Sequence, residues 1–160
     1  MIEIKNIFSY RLVWLNVLLC VLFGIISIFY FEAAALLFVL LSNLYDILGY
    51  HFSLIRRTNH LPEKIIIHSY RINQFMYDVL LLIIIGIQFD WIAALAGWIM
   101  KAFGLQDVFY YLFLKEKLPL KWNWMKWTPL GFFKGDLTKN EIVTQAAIGI
   151  LISVVLLTLR

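Results

Sequence analysis

Three aspartates, Asp46, Asp78 and Asp107, are the residues of this chain best placed to do chemistry. Each stands in an otherwise apolar stretch: NLYDILGYH over 43–51, MYDVLL over 76–81 and LQDVFYY over 105–111. A carboxylate is costly in hydrocarbon, so ionisable groups inside apolar spans face a bundle interior or a wet cavity, pair with one another, and mark function. Three such groups offer hard oxygen ligands for a divalent metal, which would polarise a phosphoryl or carbonyl oxygen. Without a metal, one of them serves as general acid or base. His68 is the candidate catalytic imidazole. Arg56, Arg57, Lys64 and Arg71 are the candidate cations for an anionic head group, because guanidinium and ammonium groups pair with phosphate and carboxylate oxygens. Asn43, Tyr110 and Trp127 complete the candidate substrate-binding set. The spacing Lys64, His68, Arg71, Phe75, Asp78 places these residues on one stripe of a helix, and Asn43, Asp46 and Tyr50 form a similar stripe.

A structural reading of the same residues stands beside the functional one. Arg71 and Lys101 would neutralise the aspartates, and Asn43 and Gln106 would supply interhelical hydrogen bonds of about 1 kcal/mol each. Histidines near lipid head groups are ordinary solvated residues. The chain has no H-E-x-x-H, G-x-S-x-G, phosphate-binding loop or C-x-x-C, so no sequence signature names a reaction.

The elements that must position these side chains are apolar helices. The chain has 160 residues, 62% hydrophobic and 15% charged, with a mean hydropathy of +0.83. A water-soluble domain of that composition could not cover its apolar surface with polar groups. Its length suits a single bundle over 1–160. The single cysteine, Cys20, allows no intrachain disulfide. The excess of 14 Lys and Arg over 10 Asp and Glu reads as membrane orientation, and nucleic acid is set aside as a partner.

Five stretches approach the roughly 20 apolar residues that a spanning helix needs: about 12–31, 33–50, 72–89, 91–114 and 142–159. The sequence therefore predicts an all-α integral membrane protein, a compact bundle of five transmembrane helices. Lys and Arg gather before the first run, between the second and third, and between the fourth and fifth. The other two connections carry only Glu32 and Asp90. The positive-inside rule then puts the N-terminus in the cytoplasm. That is the inner membrane if the source is bacterial. All three aspartates would fall in the cytoplasmic half of the bilayer, at about 1.5 Å per residue. Pro62 suits the first turn of the third helix, which would extend back from its apolar run, and Thr138 to Glu141 matches a capping box that would start the last one.

The connection over about 115–138 mixes Trp122, Trp124, Trp127, Phe132 and Phe133 with Lys121, Lys126 and Lys134. Such a segment is expected at the membrane interface, rings in the acyl boundary and ammonium groups near lipid phosphates. It is either an anchor or a lid over the aspartates.

Together these features suggest a small membrane enzyme, metal-assisted or acid–base, acting on the head group of a lipid or isoprenoid. An ion or proton transport component and a structural accessory subunit are the alternatives. Expected partners are membrane lipids, with a protein partner or a second copy of the chain also open.

Overall fold

The computed structural model describes residues 11–49 and 63–159. It is mostly helical, at 80%. In chain order the described elements are α1 (Arg11–Phe29), α2 (Ala33–Asp46), α3 (Glu63–Gln88), α4 (Trp91–Ala102), α5 (Leu105–Leu114), β1 (Lys121–Trp122), α6 (Pro129–Lys134), β2 (Leu137–Thr138) and α7 (Lys139–Thr158).

The boundaries follow local chemistry. Glu32 forms the tip of the α1–α2 hairpin and the N-cap of α2. Asp90 caps α4 by accepting from the Ala93 N–H at 2.8 Å, so the α3–α4 turn needs only two residues. The expected capping box is present: Thr138 Oγ1 accepts from the Glu141 N–H while Glu141 Oε2 accepts from the Thr138 N–H. This satisfies two of the donors that every helix start leaves free.

The fourth apolar run is not one helix. It breaks at Gly104, whose φ of +89° lies in the left-handed region, and α5 leaves α4 at 69°. Gly104 is fitted to its place, because a Cβ there would stand 3.0 Å from Ile142 Cδ1 and 3.1 Å from Met125 Cε. Hydropathy cannot reveal such a break, since both halves are apolar.

α2 and α4 form the centre, with α1 against α2, α7 against α4, and α3 against both. Small residues let the central pair approach: Ala34 and Ala35 of α2 meet Ala93, Ala94, Ala96 and Gly97 of α4. A Cβ on Gly97 would fall 2.6 Å from the Ala35 carbonyl oxygen. Close helix packing through small residues is what apolar bundles use where lipid supplies no hydrophobic drive. Ser153 of α7 donates to the Ala96 carbonyl at 2.8 Å, and Asn16 of α1 donates to the Leu40 carbonyl at 3.3 Å.

The outward faces are apolar. Leu18, Val21 and Ile28 on α1, Phe75, Met76 and Ile87 on α3, and Leu151, Val154 and Val155 on α7 are all exposed. Two helical stretches, His68–Gln88 and Lys139–Thr158, are long and apolar enough to cross a membrane, and the bent α4–α5 pair makes a third if counted as one span. The first two expected spans appear as shorter apolar helices, Val13–Phe29 and Ala33–Gly49.

The connection before α7 has a fold of its own. β1 and β2 pair antiparallel, Lys121 opposite Thr138 and Trp122 opposite Leu137. Trp122, Met125, Leu137 and Ile142 make a small core under them. Trp122 therefore does not lie in the acyl boundary: it is fully buried, and its indole N–H donates to the Pro119 carbonyl at 2.8 Å. Phe132 and Phe133, 77% and 84% exposed, are the rings this segment turns furthest outward.

Candidate functional site

Asp46 ends α2 on the bundle's inner side, and the helix widens into a π turn just beyond it, over 47–49. Three donors converge on its carboxylate. Tyr70 donates its hydroxyl to Oδ1. Gln74 Nε2 lies 2.9 Å from Oδ1 and 3.2 Å from Oδ2. Gln106 Nε2, from α5, donates to Oδ2. A carboxylate accepts through both oxygens and donates nothing, so three neutral donors from two helices suit it as an anion and hold it in place.

Asp107 follows Gln106 in the first turn of α5. Its environment is the opposite: Oδ2 is buried and has no hydrogen-bond partner. A buried acceptor without a donor is uncommon in native proteins and calls for an explanation. Asp46 and Asp107 both line a cavity of about 410 Å³. Tyr70, Arg71 and Gln74 of α3 and Tyr110 and Tyr111 of α5 form further walls, and Asn123, Trp124 and Trp127 roof it from the connection before α7.

The roof is fastened at two points. Arg71 Nη2 donates to the Trp124 carbonyl at 3.1 Å, bridging α3 to the connection. Aromatic contacts run from Tyr110 to Tyr111, on to Trp122 and then to Trp124, with centroids 5.4, 5.1 and 5.2 Å apart. Such pairs are worth about 0.5–1.5 kcal/mol each beyond the area they bury. The segment expected at the interface thus covers the polar site.

Asp78 is not on the cavity wall. It forms an ion pair with Lys101 of α4, the two side chains being 13% and 4% exposed. Buried charges persist when paired, and this pair joins α3 to α4. Among the described residues no three His, Cys, Asp or Glu side chains come together as a metal cage. Both oxygens of Asp46, and Oδ1 of Asp78, already accept from protein donors.

The other sequence candidates separate. Arg71, Tyr110 and Trp127 reach the cavity. His68 is exposed and is not part of its wall. Asn43 is buried with both amide atoms unpartnered, away from the wall. Arg56, Arg57 and Tyr50 lie outside the described residues, as does the Lys64 side chain.

The stripe of α3 singled out in the sequence is not its inward face, although Arg71 on it reaches the cavity. His68, Arg71 and Phe75 are exposed, and the inward face carries Tyr70, Gln74, Tyr77, Leu81 and Ile85. The signal was available: these residues follow spacings of four, three, four and four, and Tyr70 and Gln74 are uncharged donors suited to a carboxylate. Tyr45 of α2 confirms the face, stacking on Tyr77 with centroids 4.3 Å apart. In comparison with known proteins, no family model matches the chain, and no characterised protein or solved structure is similar to it at a significant level.

Proposed function

We propose that this is an integral membrane protein of five spans with its N-terminus in the cytoplasm. On this reading it takes the polar head of a membrane amphiphile into the Asp46–Asp107 cavity from the cytoplasmic leaflet, and Asp107 exchanges a proton or a hydrogen bond with that head. The observation that carries it is the Asp107 carboxylate oxygen, buried and unpartnered, on the wall of a cavity about 410 Å³ in volume. Ligand pockets combine apolar and aromatic walls with a few converging polar groups, and five aromatic side chains surround the two carboxylates here. Asp46, filled by its donors, positions; Asp107, with spare acceptor capacity, acts. The apolar outward faces of α1, α3 and α7 and the distribution of Lys and Arg support the membrane setting. Asp78 and Lys101 belong to the structural reading, since they answer each other's charge.

A photoreactive amino acid at Asn123, exposed and on the cavity wall, tests this reading in native membranes. Crosslinks to lipid that fall in an Asp107→Asn background support it. Crosslinks that ignore Asp107, or that reach only protein, refute it.

A further inference from the structure

Resting on the head-group reading above, the chemistry of the cavity wall also selects which head group. Among the described residues, two carboxylates and five aromatic side chains line the cavity, and Arg71 is the one cation among its walls. That balance favours a positively charged ligand, because aromatic faces and carboxylates both attract cations. It disfavours a head group that is only anionic.

The kind of cation follows from Asp107. Its Oδ2 lacks a donor, and a quaternary ammonium has no N–H to give it. A primary ammonium has three. Arg71 adds the second half of the ligand. It is exposed, its hydrogen bond to the Trp124 carbonyl uses Nη2, and a guanidinium carries five donors in a fork that fits a phosphate. Trp127 stands beside it, 43% exposed, as a rim residue. We infer that the cavity binds a zwitterionic head group carrying a primary ammonium and a phosphodiester, of the phosphoethanolamine kind, with the ammonium at Asp107 among the rings and the phosphate at Arg71.

The same chemistry occurs in a phosphatidylethanolamine bilayer and in soluble glycerophosphoethanolamine, so both are used as probes. The purified protein is placed in nanodiscs containing phosphatidylethanolamine, phosphatidylcholine or phosphatidylglycerol at equal fraction, and retained lipid is read by native mass spectrometry. Phosphatidylethanolamine should be retained about tenfold or more over the other two, since a charge-assisted hydrogen bond is lost with each replacement. Asp107→Asn should remove the preference over phosphatidylglycerol. Arg71→Gln, at an exposed position, should weaken retention several-fold in a folded protein even if Asp107→Asn does not fold. Competition by glycerophosphoethanolamine alone assigns a soluble source; retention it cannot displace assigns the membrane, and either outcome upholds the head-group chemistry if it depends on Asp107 and Arg71. Equal or tighter binding of phosphatidylglycerol, or retention untouched by Arg71→Gln, overturns the inference. The crosslinking at Asn123 stands apart from that result, because its dependence on Asp107 does not require any particular lipid.

Discussion

Gln74 of α3 donates from one amide nitrogen to both oxygens of Asp46 on α2, at 2.9 and 3.2 Å. With Tyr70 and Gln106 it leaves Asp46 with every acceptor direction answered from the protein. One residue further along α5, Asp107 has an oxygen with no donor at all. Two aspartates on one cavity thus have different duties, and isosteric substitution separates them.

Asp46→Asn replaces one oxygen by an NH₂ group that points a donor at another donor. It should cost about 1–3 kcal/mol, the penalty of leaving buried polar groups mismatched. Asp107→Asn removes no existing hydrogen bond at Oδ2 and should change stability by no more than about 0.5 kcal/mol. Reversible unfolding in mixed micelles measures both, and the opposite order would overturn the assignment of roles.

For Asp78 and Lys101 the sign of the double variant is the test. Asp78→Leu or Lys101→Met alone strands a buried charge and should cost about 3–5 kcal/mol. Asp78→Leu with Lys101→Met removes both charges and should recover most of that loss. A double variant as unstable as the sum of the singles would mean that the pair is not one unit.

Gly104→Ala meets two obstacles: a left-handed backbone and contacts of 3.0 and 3.1 Å to Ile142 and Met125. Backbone conformation alone costs about 1–2 kcal/mol, and crowding adds about 1–3 kcal/mol. Lipid retention should fall along with stability, because the bend positions Asp107. An unfolding midpoint equal to that of the parent protein would show that the bend is not needed.

Two tryptophans of one loop should behave differently. Trp122→Ala empties a fully buried site and should cost about 3–5 kcal/mol. Trp127→Ala, on the half-open rim, should leave unfolding within about 0.5 kcal/mol and still reduce lipid retention. If both variants lose only stability, the roof has no part in binding.

Orientation is read by labelling single cysteines in a Cys20→Ala background. Lys126→Cys should be protected from an impermeant maleimide in intact cells, and Gln88→Cys should react. Both positions are exposed in the fold, so the reverse pattern can only mean an inverted protein.

Much of this arrangement was legible in the residues, and the exceptions share a cause. The hairpin tip at Glu32, the onset of α3 after Pro62 and the capping box at Thr138 are short-range features, encoded by neighbours in sequence. Polarity predicted that all three aspartates would gather; Asp46 and Asp107 do, whereas Asp78 pairs with Lys101 instead. The bend at Gly104 was hidden, since an isolated glycine in an apolar helix usually carries no such meaning. The inward stripe of α3 was hidden for a related reason. When the outward face is apolar too, hydrophobic periodicity no longer separates inside from outside, and only the uncharged donors Tyr70 and Gln74 mark the core. Trp122 was misplaced because an indole beside lysines is as well suited to a small loop core as to a lipid interface.

The break at Gly104 also sets a length. α4 has 12 residues, or about 18 Å at 1.5 Å per residue, against a hydrocarbon thickness of about 30 Å. α5 turns aside by 69° and adds little to that height. In the membrane setting proposed above, the centre of the bundle would therefore be thinner than a bilayer that the long α3 and α7 can span. A membrane relieves such hydrophobic mismatch by thinning locally, at a fraction of a kcal/mol per Å. The dimple would form on the side where α4 stops short, which is the side of the cavity, so the same bend that aims Asp107 would also lower the lipid head groups toward it.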